Sequence, residues 1–230
     1  MNILILGDSW AYSWPIDVNG DDSLDFEFTL FNKGNFVINK SLYGGHNLQT
    51  LKNGKNFINF TKPLGFKVDL IVWMFTELLR DLDCNNDKDE LSWNHYEGML
   101  EYLNKKTIDA VNEIRMISPE SKWAIIGGHV PLYKPEQYSW ADFVVEDWRS
   151  EILGVKLPAC HSLSFQERIY ENRKTLGDKV VEEEFKKYDI INNAIKNAPE
   201  WMFPDGVHPC LEIQRKMAIR IHEHFQNTNS

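Results

Sequence analysis

The sequence predicts an α/β fold, a three-layer α/β/α sandwich built on a parallel, five-stranded sheet. Three observations predict it. Short continuous apolar runs rich in branched residues recur along the chain, and such runs read as strands buried on both faces. Stretches with helical periodicity separate them, and alternating strands and helices give a parallel sheet covered on both sides. At 230 residues the chain can bury one sizeable core, so a single domain over 1–230 is expected.

The first strand is Asn2-Ile3-Leu4-Ile5-Leu6, and it runs straight into Gly7-Asp8-Ser9-Trp10. Gly7 allows a tight turn, which leaves Ser9 where the chain departs from the sheet. In open parallel sheets, sites form at the carboxyl ends of strands. Asp8 or Ser9 could equally cap a helix starting at Trp10. The next stretch is polar, and Pro15 with Asn19-Gly20-Asp21-Asp22 marks a loop. Its aspartates lack the alternating register of a Ca²⁺ loop. A short helix is expected over Phe26 to Phe31, then a second strand, Phe36-Val37-Ile38-Asn39. That strand leads to Gly44-Gly45-His46-Asn47, and a helix is expected over Leu48 to Phe60.

Val68 to Phe75 is the third strand, nearly all apolar as a central parallel strand should be. It passes into Thr76-Glu77-Leu78-Leu79-Arg80, where Glu77 and Arg80 are spaced to pair on one helical face. Cys84 to Ser92 is an acidic loop. Tyr96 to Ile117 is a long helix whose apolar face includes Met99, Leu103, Val111 and Ile114, and Ser118-Pro119 ends it. Trp123 to Gly127 is the fourth strand, and His129 just beyond it is expected either to line the cleft or, as the preferred reading, to be a hydrogen-bonded structural histidine. Residues 131–161 hold Pro131, Pro135, Pro158 and several aromatics, with a short helix around Asp147-Trp148-Arg149. Their length and irregularity suggest an inserted lid or substrate-binding segment. A charged helix over Ser164 to Lys187, a fifth strand over Tyr188 to Asn192 and a closing helix over Val207 to Phe225 complete the chain. His222-Glu223-His224 falls near the end of that helix and reads as a wet terminus, not a metal site.

Apolar residues make up 43% of the chain and charged residues 26%, ordinary for a globular protein. A net charge of -9 argues against a general binder of nucleic acid or anionic membranes. Eight tryptophans and thirteen phenylalanines supply core packing or the aromatic walls of a cleft. Cys84, Cys160 and Cys210 show no metal spacing and read as free thiols. The N-terminus lacks a basic flank and a long apolar region, and no run is long enough to span a bilayer. The expectation is a cytoplasmic or phage-type soluble protein with no membrane insertion. The sequence lacks GxSxG, GxxxxGK[ST] and GxGxxG, so the common nucleotide signatures and the nucleophile elbow are missing. No cofactor and no metal are expected.

The other end of the chain reads Phe203-Pro204-Asp205-Gly206-Val207-His208-Pro209. An Asp and a His so spaced can act on a serine. The His takes the hydroxyl proton near neutral pH, and the Asp orients the imidazole and stabilises its cation. Gly7-Asp8-Ser9 and Asp205-Gly206-Val207-His208, at opposite ends of the chain, together resemble the first and last blocks of the SGNH, or GDSL, hydrolase superfamily. The resemblance implies a flavodoxin-like sheet, with Ser9 as nucleophile, His208 as base and Asp205 as its partner. It also implies an oxyanion hole. The family's second block is a Gly after the second strand, which Gly44 fits, with Gly45 as the alternate. The third block, Gly-x-Asn-Asp, is replaced here by Met74-Phe75-Thr76-Glu77. The expected donors are therefore the N–H groups of Ser9 and Gly44 and the Thr76 hydroxyl.

The implied function is a serine esterase or acylhydrolase that cleaves a carboxylic ester through an acyl-enzyme. The substrate is a small-molecule or carbohydrate ester, O-acetyl sugars included. Two other classes stay open. One is a binding or structural protein that keeps the fold with weakened catalysis, as the Thr76 departure would suggest. The other is a flavodoxin-like ligand-binding domain in which Asp8 and Ser9 cap a phosphate-binding helix.

Overall fold

Five strands, β1 (Asn2–Leu6), β2 (Phe36–Asn39), β3 (Leu70–Phe75), β4 (Lys122–Gly127) and β5 (Phe143–Val145), form one sheet in the order β2-β1-β3-β4-β5. Every neighbouring pair is parallel. The computed structural model describes residues 1–8, 10–11, 30, 32–42, 44–82, 96–161, 169–170 and 173–227. Its helices are α1 (Asn47–Thr61), α2 (Tyr96–Ile117), α3 (Trp148–Leu153), α4 (Arg173–Leu176), α5 (Asp178–Asn197) and α6 (Leu211–Asn227).

Side chains alternate across a strand, so each strand feeds two cores. Leu4, Leu6, Ile71, Trp73 and Ile125 point to one face, where Leu51 of α1 and Leu103 and Val111 of α2 cover them. Ile3, Ile5, Val72, Met74 and Ile126 point to the other, beneath Trp148 of α3 and Met217, Ile221 and Phe225 of α6. This is the three-layer α/β/α arrangement. All six residues of β3 are buried, and each large aliphatic side chain so buried stabilises the fold by about 1.5–3 kcal/mol.

The register sets Leu6 opposite Trp73 and Phe75 opposite Gly127. The carboxyl ends of β1, β3 and β4 therefore lie side by side. Asp8, Thr76 and His129 leave the sheet next to one another.

One expectation is corrected. Tyr188 to Asn192 is not a strand but the middle of α5. Of its two isoleucines, Ile191 is buried on the helical stripe with Val181 and Glu184, while Ile190 is 52% exposed. The fifth strand is instead Phe143–Val145, inside the segment expected to form an inserted lid, and α3 follows it. Those parts of 131–161 belong to the sheet and its covering layer. The short helix expected over Phe26 to Phe31, the loops before it and around Cys84, and the start of the Ser164 helix lie largely outside the described residues. Among the described residues, no helix is long and apolar enough to cross a membrane.

Candidate active site

Gly7 closes β1 with φ at +148°, and a Cβ there would stand 2.9 Å from both Met74 O and Ala11 Cβ. Only glycine fits that approach. The fully buried Asp8 follows. Its Oδ1 accepts the Trp10 N–H at 3.0 Å, and its carbonyl accepts the Ala11 N–H at 3.1 Å. Side chain and backbone of Asp8 thus both fold the chain back after β1. Ser9 itself lies outside the described residues. The Trp10 ring is buried edge-on against Trp148 at 5.5 Å and His129 at 6.1 Å, and tilted against Phe203 at 6.4 Å.

That last contact joins the two ends of the chain. Phe203 opens a tight turn in which the Gly206 N–H donates to the Phe203 carbonyl at 2.9 Å. Asp205 Oδ1 accepts the N–H groups of Val207 at 2.9 Å and His208 at 2.7 Å. Its Oδ2 lies 2.5 Å from His208 Nδ1. A carboxylate can only accept, so Nδ1 carries a hydrogen, and in the neutral ring Nε2 is the basic nitrogen. Burial opposes the charge on Asp205, but these three hydrogen bonds outweigh it and hold the carboxyl at about 2. The loop is pinned to α6 by Cys210 N–H donating to Met202 O at 2.9 Å and Gln214 Nε2 donating to Pro209 O at 3.0 Å.

Gly44 adopts φ +64°, a left-handed conformation suited to glycine. The loop that carries it is tied to the first block, because the Leu42 N–H donates to Gly7 O at 3.0 Å and the Gly45 N–H to Leu42 O at 2.8 Å.

Thr76 departs from expectation. Its hydroxyl donates to Asp8 Oδ2 at 2.7 Å. A hydroxyl has one proton, so in this arrangement it has none to offer an oxyanion. The Thr76 backbone is held by Asn47, whose Oδ1 accepts its N–H and whose Nδ2 donates to its carbonyl, both at 2.9 Å. Asn47 Nδ2 also donates to Asp81 Oδ2 at 3.2 Å, and the Leu48 N–H donates to Asp81 Oδ1 at 2.8 Å. Burial outweighs these bonds and the charge of Arg80, and it pushes the Asp81 carboxyl up to about 7. Neither Asn47 nor Asp81 stood out in the sequence, because each acts on a partner far along the chain.

Beside Thr76, the buried Glu77 receives Arg80 Nη2 at 3.3 Å and His129 Nε2 at 3.0 Å on the same oxygen. Arg80 Nη1 reaches Asp8 Oδ2 at 3.4 Å. Arg149 Nη2 donates to His129 Nδ1 at 2.7 Å, and its guanidinium lies 5.0 Å over the Trp10 ring. Burial, and then the charge of Arg149, lower the His129 pKa against the pull of Glu77. Elsewhere, His46 precedes α1 and bonds through Nδ1 to the Arg80 carbonyl. His222 Nδ1 accepts from Asn35 Nδ2 at 3.2 Å, and His224 packs on Phe143 and Phe225. Cys160 Sγ donates to Glu184 Oε2 at 3.6 Å, Cys210 is a free thiol, and Cys84 lies outside the described residues.

The sequence matches no protein-family model and no curated relative. Among solved structures, the chain is similar to the lipase Lip_vut3 from a goat rumen metagenome, at 14% identity over 97% of each chain and a TM-score of 0.48. It is also similar to a protein described as a GDSL-like lipase from Parabacteroides merdae, at 15% identity over 96% of this chain and 94% of that one, with a TM-score of 0.42.

Proposed function

We propose that this protein is a serine esterase that works through an acyl-enzyme. The observation that carries the reading is the Asp205–His208 pair, in which the carboxylate engages Nδ1 at 2.5 Å and so makes Nε2 the basic nitrogen of the neutral ring. Phe203 supports it by packing against Trp10, the neighbour of Ser9. In this reading His208 Nε2 takes the Ser9 hydroxyl proton as Oγ attacks the ester carbonyl carbon. The N–H groups of Ser9 and Gly44 receive the oxyanion. The intermediate collapses, the C–O bond to the alcohol breaks, and His208 returns the proton to the departing oxygen. Water then attacks the acyl-Ser9 ester with the same base, and the carboxylic acid leaves. Substrates are carboxylic esters, with O-acetyl groups on carbohydrates as the first class to try.

The test is a fluorophosphonate probe with mass mapping of the adduct, alongside p-nitrophenyl esters and acetylated sugars. The expected result is a single adduct on Ser9 and ester turnover that Ser9→Ala abolishes. An unlabelled protein without turnover rejects the reading. One observation favours a second reading, a binding protein that keeps this arrangement with weakened chemistry. The Thr76 hydroxyl, in the position of the family's donor, is bonded to Asp8. Binding of acetylated sugars without labelling would select it.

A further inference from the structure

We infer that His129 and Arg149 are positioning residues for position 9, acting through a closed polar circuit that holds the residues on both sides of it. The inference rests on Ser9 being the nucleophile.

The circuit begins at Asp8, whose Oδ2 accepts from Thr76 and Arg80 at 2.7 and 3.4 Å. It continues from Arg80 to Glu77 at 3.3 Å, from Glu77 to His129 at 3.0 Å, and from His129 to Arg149 at 2.7 Å. It closes where Arg149 lies 5.0 Å over the ring of Trp10. The Trp10 N–H in turn donates to Asp8 Oδ1 at 3.0 Å. Residues 8 and 10 are therefore each held by groups that do not involve the side chain between them.

The charges alternate along the circuit: carboxylate, guanidinium, carboxylate, neutral imidazole, guanidinium. A guanidinium cannot accept, so Arg149 must donate to His129 Nδ1, and the imidazole hydrogen must sit on Nε2, facing Glu77. Burial and the adjacent Arg149 both disfavour a second proton on the ring. Asp8 and Glu77 are fully buried and Arg149 is 3% exposed. Buried ion networks add little stability compared with well-packed apolar residues, but removing one member leaves another unpaired. Such a network is suited to fixing one conformation. Here that conformation is the turn after β1, and an ångström's misplacement of a reacting group can cost about a hundredfold in rate.

The experiment compares wild type, His129→Leu, His129→Gln and Arg149→Met. The readouts are kcat and KM on p-nitrophenyl acetate, the rate of fluorophosphonate labelling at Ser9, and the ¹⁵N shifts of the His129 ring. His129→Leu should lower kcat and the labelling rate together, by about ten- to a hundredfold, with KM changed less than about threefold. His129→Gln, which can still donate to Glu77, should recover most of that loss. The ¹⁵N shifts should show hydrogen on Nε2. A folded His129→Leu that labels at the wild-type rate overturns the inference, as does hydrogen on Nδ1. If His129→Leu does not fold, Arg149→Met decides: a wild-type labelling rate in that variant overturns the inference, and a loss of about tenfold or more with little change in KM supports it. Failure of the esterase reading is distinct, since wild type itself would then not label, and the positioning role is rejected with it.

Discussion

His208 Nδ1 lies 2.5 Å from Asp205 Oδ2, while the backbone N–H of the same histidine donates to Asp205 Oδ1 at 2.7 Å. One carboxylate thus fixes both the ring and the main chain of the proposed base. Asp205→Asn should keep the turn, since an amide oxygen can still accept the backbone donors. Its NH₂ group, turned toward the ring, would reverse the tautomer. We expect kcat to fall by about 10⁴ with little change in melting temperature. A loss under about tenfold would exclude Asp205 from the mechanism.

Asp205 and Asp81 shift in opposite directions, and so do their pH signatures. Asp205 is held at about 2, below its unfolded value near 3.9. Its stabilisation is present above the unfolded value and is lost only as pH falls toward 2. Asp81 is raised to about 7, so its contribution is present below about 3.9 and is lost as pH rises through 7. In Asp81→Asn an amide N–H would face Asn47 Nδ2, at a cost of about 1–3 kcal/mol at pH 4–5. That deficit should shrink as pH rises to 7 and above. Thermal melts of both proteins from pH 4 to 8 test this, and a deficit independent of pH contradicts it.

Thr76→Val removes the hydroxyl that donates to Asp8 Oδ2 at 2.7 Å. The buried carboxylate loses a partner, so stability should drop by about 1–3 kcal/mol. Turnover should fall less than the 10²–10³ typical of a lost oxyanion donor. Urea unfolding and kcat measured on the same preparation separate the two effects. A hundredfold loss of kcat at unchanged stability would return Thr76 to the oxyanion hole.

The edge strand makes its own prediction. Val145 is 1% exposed and pairs with Ile126 of β4. Val145→Asp would bury an unpaired charge and should cost roughly 3 kcal/mol or more. Deleting 131–161 should abolish cooperative unfolding, because β5 and α3 go with it. A deletion protein that melts normally with altered ester selectivity would instead mark the segment as a lid.

Four strands were legible because each is a continuous apolar run that ends in a turn. The same rule missed the true fifth strand and placed it wrongly. Phe143–Val145 is too short to show a pattern, and the two isoleucines near Tyr188 mimic a strand although their helix buries residues at three- and four-residue spacing. Asp205 and His208 were legible because their interaction is local. The engagement of Thr76 with Asp8, and the roles of Asn47, Asp81 and Arg149, were not. Each depends on which strand ends lie side by side, and sequence spacing does not carry that information.

The circuit around position 9 also bears on the order in which the molecule is made. Asp8 is synthesised before Glu77 and Arg80, which come with the third strand, and Arg149 follows only after the fifth. A nascent chain that stops before α3 can bury Glu77 against Arg80 but has no Arg149 to set the His129 ring or to cover Trp10. The proposed nucleophile's surroundings would then be completed well after its own residue has been made. Contacts between such distant parts of a chain form slowly, after the entropy of closing the intervening loop has been met. Hydrolytic competence should therefore lag behind formation of the sheet during refolding.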